Sequence, residues 1–334
     1  MSRAFVCGCQ GKALTAEERA FLRDSNPFGL ILFKRNVETP AQVHALIAEF
    51  RAIVGRDAAV LVDQEGGRVQ RLGPPHWRAY PAAARLGAMD MPLARREEMV
   101  RYAAALLGKD LRNLGITIDC APVMDVPVPG AHDVIGDRAF SREPEIVARL
   151  GRAAAQGLAD AGVMPIMKHI PGHGRAGVDS HLDLPVVHAS LDELAADFLP
   201  FKANIDLPAA MTAHVVYTAL DPERPGTLSP RVIGFIRNEI GFDGLLFSDD
   251  LSMQALCGML RTRAEAAFAA GIDIALHCNG DLAEAEAVAG AAPSLEGQAL
   301  ARAERGASWR GQPATPFDPV DVWAQIEASL AISA

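Results

Sequence analysis

Short apolar runs of strand length recur along the chain, at 29–33, 59–63, 116–123, 163–168, 210–216, 244–248 and 272–276. Most are near-continuous rather than alternating, the pattern of strands buried on both faces. Between them the apolar positions fall at helical spacing. Val100, Ala103, Leu107, Leu111 and Leu114 step by 3, 4, 4 and 3, and Val147, Leu150, Ala154 and Leu158 by 3, 4 and 4, so each set lines one helix face. Alternation of strands and helices from about residue 29 to about 290 predicts a parallel sheet covered by helices, either an open doubly wound sheet or a closed barrel. No G-x-G-x-x-G follows the first run and no G-x-x-x-x-G-K-S/T occurs, which counts against the nucleotide-binding open class. The pattern leaves a single-domain α/β fold, which closes as a (β/α)8 barrel if Ala4-Phe5-Val6 supplies an eighth, irregular first strand.

A length of 334 residues allows two domains of roughly 150 residues or one large barrel. No linker, repeat or low-complexity block marks a boundary, so residues 1–334 read as one catalytic domain. Residues 309–334 form a C-terminal extension on it, a Pro-containing lead from Trp309 to Pro319 and then a helix from Val320. Charge narrows the function classes. The 32 Lys and Arg against 41 Asp and Glu give −9, with no basic cluster for nucleic acid or an anionic membrane surface. The N-terminus has no apolar signal region and no apolar run nears the ~18 residues that span a bilayer, so a cytoplasmic protein is expected. Five cysteines, Cys7, Cys9, Cys120, Cys257 and Cys278, mostly in apolar stretches, read as small buried thiols in a reducing compartment.

Chemistry concentrates where the apolar runs end, the place where either sheet type gathers its functional loops. The second run ends in Asp63-Gln64-Glu65-Gly66-Gly67-Arg68, with Arg71 close behind. The third ends near Asp125 and precedes Gly136-Asp137-Arg138. Then come Lys168-His169-Ile170-Pro171-Gly172-His173-Gly174 and Asp179-Ser180-His181, and finally His214 and Ser248-Asp249-Asp250. Plainer roles are open to each: Asp63 could cap a loop, Arg71 and Arg138 could be surface or pairing cations, and Lys168 could pair with a buried carboxylate.

Four histidines, His169, His173, His181 and His188, fall within twenty residues. His169-x3-His173 with Asp179-x-His181 has the donors for a metal, but Pro171-Gly172 rules out the regular helix that would aim the first pair at one ion. Acid/base chemistry is the better reading: Asp179 can orient the His181 imidazole and leave its other nitrogen to carry protons near neutral pH. Gly172, Gly174 and Gly177 are expected to make this loop mobile. Asp249, at the end of an apolar strand, is a candidate nucleophile with Asp250 as its rival. Successive strand side chains point to opposite faces, so only one of the two is expected to face the pocket, and spacing does not choose.

With these motifs in hand the chain resembles glycoside hydrolase family 3, in particular its bacterial β-N-acetylglucosaminidases of peptidoglycan recycling. The likeness runs from Gly29-Leu30-Ile31-Leu32-Phe33 to about Asn279 and rests on Asp63 through Arg71, Gly136-Asp137-Arg138, Lys168 through Gly174 with Asp179-Ser180-His181, and Ser248 through Met253. The resemblance implies a (β/α)8-type barrel, Asp249 as nucleophile, His181 as proton donor and then base, and Asp179 as the residue orienting it. It also implies that Asp63, Arg71, Arg138, Lys168 and His169 bind N-acetylglucosamine, with no metal or other cofactor. Many members add a second domain that supplies a carboxylate acid/base. This chain is expected to be too short for one, which leaves that work to the loop histidine. The expected substrate is a small N-acetylglucosamine-containing muropeptide fragment, cleaved by a monomer without nucleic-acid or membrane partners. Phosphorolysis of the same glycosides and a non-catalytic amino-sugar sensor are the alternatives.

Overall fold

The computed structural model describes residues 1–180, 182–309 and 318–332. Its central sheet has nine parallel strands: β1 (Arg3–Cys7), β2 (Pro27–Leu32), β3 (Ala59–Val62), β4 (Ile118–Asp119), β5 (Met164–Pro165), β6 (Met167–Ile170), β7 (Ala209–Thr212), β8 (Leu245–Asp250) and β9 (Ile274–His277). Their order is β5-β4-β3-β2-β1-β9-β8-β7-β6. β5 and β6 are two parts of one run broken at Ile166, the first paired with β4 and the second with β7, so the sheet curls round on eight strand positions as a barrel. The first strand is a full ladder member between β2 and β9. Its register with β2 shifts between Arg3 and Val6, the irregularity expected of the first strand, and the fourth and fifth positions are broken as well. In the predicted strand 116–123 only Ile118–Asp119 forms a ladder and Val123 a single bridge to Lys168; Pro122 between them has no N–H to donate.

Two buried clusters explain why the strands are apolar at nearly every position. One holds Ala4, Val6, Ala59, Leu61, Met164, Ile166, Ala209, Met211, Leu245, Phe247, Ile274 and Leu276, alternate residues that fill the barrel interior. The other holds their neighbours Phe5, Val60, Met167, Ala210, Leu246 and Ala275, packed outward on the helices. Both predicted helices are present, Leu93–Leu114 and Pro144–Asp160, each burying every residue of its expected apolar set, and they pack on each other. The last helix, Pro319–Ile332, buries Val322 and Ile326 and sets Trp323 edge-on to Tyr80 at 5.6 Å. No helix among the described residues is long and apolar enough to cross a membrane.

Candidate active site

A cavity of about 290 Å³ opens at the carboxyl ends of the strands, with Phe33, Asp63, Glu65, Arg71, Arg138, Lys168, His169, His173, Ser180, Asp249 and Asp250 in its wall. Strand parity brings many of them there. The interior residues Ala59 and Leu61 are followed two positions on by Asp63, Met164 and Ile166 by Lys168, and Leu245 and Phe247 by Asp249. Each inward stripe thus passes from apolar core to charge once it clears the last packed layer.

Two irregularities add a second residue. Between Phe247 and Asp250, β8 advances three residues while β9 advances two, from Ile274 to Leu276. Such a bulge turns neighbouring side chains toward one face, and both Asp249 and Asp250 line the cavity. This corrects the expectation that only one could. The same mismatch between Lys168 and Ile170 against β7 accompanies the placement of both Lys168 and His169 in the wall.

Five charges form one chain. Lys168 Nζ, 2 % exposed, donates to Asp63 Oδ1 at 2.9 Å and lies 2.7 Å from Glu65 Oε1. Arg71 donates to Asp63 Oδ2 at 3.0 Å, and Arg138 grips Glu65 with two bonds of 2.8 and 2.9 Å. Phe33 carries the Arg71 guanidinium at 5.0 Å from its ring centre. Lys168 therefore does pair with buried carboxylates, and it also lines the cavity. Burial by itself would raise the Asp63 carboxyl, but Lys168 and Arg71 outweigh it and hold the group well below the usual range. Glu65 behaves alike: burial opposes ionisation, Lys168 and Arg138 prevail, and its pKa falls from 4.5 to about 2. Burial also works against the Lys168 ammonium, and the same two carboxylates overcome that and raise it. Alternating fixed cations and anions suit a polyhydroxylated ligand, whose hydroxyls donate to one and accept from the other.

The depressed Glu65 makes a testable statement about acid stability. Its contribution is complete above the unfolded pKa near 4.5 and is lost progressively as pH falls toward the folded value of about 2. In urea unfolding at stepped pH, the stability gap between wild type and Glu65→Gln should be constant above about pH 5 and narrow below it. A gap that widens with acid would place its origin elsewhere.

A second network hangs on Asp125, wholly buried. It lies 2.6 Å from His169 Nδ1 and accepts the His169 N–H at 3.2 Å and the His173 N–H at 2.6 Å. Burial would raise its carboxyl, but the imidazoles and these donors keep it low. Burial, helped by neighbouring His169, pushes His173 down to about 4, so it is neutral at pH 7. His173 Nε2 then lies 3.1 Å from Ser180 Oγ, and the Ser180 carbonyl accepts the Ala255 N–H at 3.3 Å. Ser180 is thus a buried pin in the loop of Asp179-Ser180-His181. Asp179 is half-buried, and its carbonyl accepts the Leu182 and Asp183 N–H groups. His181 lies outside the described residues, and His188 is exposed and not in the cavity wall.

Two of the three loop glycines answer to packing, which corrects their reading as sources of mobility. A Cβ on Gly174 would meet the Val126 carbonyl oxygen at 2.0 Å. Gly172 has φ +139° and sits against Asp197; only Gly177 has open space around it. Sequence reasoning also left Glu65, Asp125, Gln64 and Phe33 without a role. The tertiary structure makes Glu65 the second anchor of Lys168, and Gln64 Oε1 the acceptor of the Arg71 and Leu72 N–H groups at 2.9 and 3.1 Å. Charge counting held the only signal: Lys168, Arg71 and Arg138 need more than one buried carboxylate between them.

Asp249 and Asp250 are distinguished by their bonding. The Asp250 carboxylate accepts the Ser252 N–H at 3.0 Å, the Ser252 hydroxyl at 2.7 Å and the Cys278 N–H at 3.1 Å, so it works as a structural clasp. The Asp250 N–H in turn donates to Asp249 Oδ1 at 2.8 Å.

Known proteins match both sequence and fold. The model of the glycosyl hydrolase family 3 N-terminal domain matches residues 6–305. A β-hexosaminidase of Thioalkalivibrio sulfidiphilus is 44% identical over 275 residues, 81% of this chain and 79% of that protein. One from Pseudomonas aeruginosa is 41% identical over 309 residues, 91% of each. The native NagZ structure from Neisseria gonorrhoeae superposes with a TM-score of 0.84 at 35% identity, covering 99% of this chain and 97% of that one. A family 3 β-N-acetylglucosaminidase from Paenibacillus sp. gives 0.85 at 33% identity, over 98% of this chain and 67% of its own. With the family's domain spanning nearly the whole barrel and its charged cavity, the chain belongs to glycosyl hydrolase family 3 and is a glycoside hydrolase.

Proposed function

We propose that this enzyme is a retaining exo-β-N-acetylglucosaminidase that removes terminal, non-reducing β-linked N-acetylglucosamine through a covalent sugar–Asp249 intermediate. The observation that carries it is the division of labour at the end of β8: three structural donors hold the Asp250 carboxylate, while Asp249 continues the inward stripe into a cavity lined by paired cations and carboxylates. In the first step an Asp249 carboxylate oxygen bonds to the anomeric carbon as the glycosidic C–O bond breaks. His181, as imidazolium and oriented by Asp179, gives its proton to the departing oxygen. In the second, neutral His181 takes a proton from water, whose oxygen displaces Asp249 and restores the original anomeric configuration. Histidine suits both halves because its unperturbed pKa of about 6.5 lies near neutral pH.

Asp63, Arg71, Arg138, Lys168 and His169 hold the sugar. The choice of N-acetylglucosamine draws on the relatives named β-hexosaminidase and on an N. gonorrhoeae NagZ structure in complex with N-trifluoroacetyl-D-glucosamine. The motif resemblance extends the reading to anhydro-muramyl fragments of cell-wall recycling, in the cytoplasm, by a monomer without metal or other cofactor.

The test is intact-protein mass spectrometry after mixing with 5-fluoro-N-acetylglucosaminyl fluoride, then peptide mapping. An adduct on the peptide carrying Asp249 is expected. Turnover of 4-nitrophenyl N-acetyl-β-D-glucosaminide with the adduct elsewhere, or with none, would overturn the mechanism. The same turnover in phosphate buffer should release N-acetylglucosamine itself; the 1-phosphate as main product would make the enzyme a phosphorylase.

A further inference from the structure

We infer that His214 is a positioning residue for the nucleophile's strand end: its Nε2–H holds the Asp250 carbonyl, while its Nδ1 accepts from Thr227, which in turn accepts from Thr212. The inference rests on the reading of Asp249 as the attacking carboxylate and adds how that carboxylate is aimed.

His214 follows β7 and is fully buried. Its Nε2 lies 2.9 Å from the Asp250 carbonyl oxygen, its Nδ1 lies 2.7 Å from Thr227 Oγ1, and that oxygen lies 2.8 Å from Thr212 Oγ1. A carbonyl carries no proton, so Nε2 is the donor. Burial lowers the imidazole pKa and outweighs the opposing pull of the Asp249 and Asp250 carboxylates, so the ring is neutral. A neutral ring protonated on Nε2 has a lone pair on Nδ1, and the Thr227 hydroxyl donates into it. The Ala213 carbonyl, at 3.2 Å, is the more distant acceptor for the same hydroxyl. Thr212 then donates to Thr227. Every proton on this path has one place: Thr212 to Thr227, Thr227 to Nδ1, and Nε2–H to the Asp250 carbonyl.

The path ends at the bulge in β8. The bulge at Asp249 and Asp250 interrupts the ladder to β9, and a bulged segment needs other bonds to keep one orientation. His214 and the Met253 N–H, at 3.1 Å, together satisfy the Asp250 carbonyl. With Asp250 held at its carbonyl and its carboxylate, its own N–H keeps the 2.8 Å bond to Asp249 Oδ1. His214 thus acts on Asp249 through Asp250, and its loss should reach the chemical step more than sugar binding.

The native protein supplies the first test. Long-range 1H–15N correlation spectra of the histidine-labelled full chain at pH 7 should show His214 neutral and protonated on Nε2; an imidazolium or an Nδ1–H tautomer overturns the inference. Kinetics on the 4-nitrophenyl glycoside supply the second. His214→Ala should lower kcat about 100-fold with KM within about twofold, and Thr227→Val about tenfold, while Thr227→Ser stays near wild type. The His214→Ala, Thr227→Val double variant should be no slower than His214→Ala alone, since both break one path. Losses that multiply, or that fall on KM, overturn the inference. Labelling by the fluoro sugar separates the two readings. An adduct away from Asp249 removes the nucleophile whatever His214 does, whereas an Asp249 adduct with unchanged kcat in His214→Ala removes the positioning role alone.

Discussion

Asp249→Ala should cut kcat/KM for the 4-nitrophenyl glycoside by roughly 10⁴-fold or more and leave the cooperative unfolding transition in place. On the proposed mechanism this substitution removes the atom that bonds to the anomeric carbon. The Asp250 carboxylate is held by Ser252 and Cys278 and is not positioned to substitute. Azide offers a sharper readout than loss alone. With the Asp249 side chain removed, azide should enter from the vacated face and yield the α-glycosyl azide, with partial recovery of rate. Asp250→Ala should behave differently, slowing turnover about 10- to 100-fold and lowering stability by about 1–3 kcal/mol, because two donors of Ser252 after β8 and the Cys278 N–H after β9 lose their acceptor. An inactive Asp250→Ala beside an active Asp249→Ala would exchange their roles.

The second large effect is on stability. Lys168→Ala should destabilise the protein by about 3–5 kcal/mol, measured by urea unfolding at pH 7. Among the described residues Lys168 is the one cation bonded to both Asp63 and Glu65, and with it gone the two carboxylates keep one arginine each. Their depressed pKa values should rise, so the stability gap to wild type should be widest above about pH 5 and narrow as acid protonates the two carboxylates. Substrate affinity should weaken too, since the chain of charges that meets the sugar is broken in the middle. A loss below about 1 kcal/mol would mean that Arg71 and Arg138 alone neutralise the pair.

Much of this molecule is legible in its linear order, for reasons specific to its architecture. A barrel strand is buried on both faces, so each one declares itself as an apolar run, and Ala4-Phe5-Val6 joins the sheet as the first strand, regular toward β9 and shifted in register toward β2. The helices between them carry the 3.6-residue period because only one face touches the sheet. The site residues also stand out, since Asp63, Lys168 and Asp249 are charges placed where strands of Val, Ile and Leu end. Four of the five proposed sugar-binding residues meet in one ion chain, and His169 joins them in the same wall.

What the sequence by itself determined was therefore the parallel α/β class and the polar strand ends whose residues line the cavity. Only the tertiary structure decided how neighbouring residues divide the work. Parity along an isolated strand puts Asp249 and Asp250 on opposite faces, but parity holds only while register holds, and register belongs to the pairing of β8 with β9, strands joined by no local rule. The clasp of Asp250 by Cys278, the sharing of Lys168 between Asp63 and Glu65, and the reach of His214 to the Asp250 carbonyl span 28, more than 100 and 36 residues. Such contacts are set by the closure of the barrel, which brings the ends of distant strands together around one cavity.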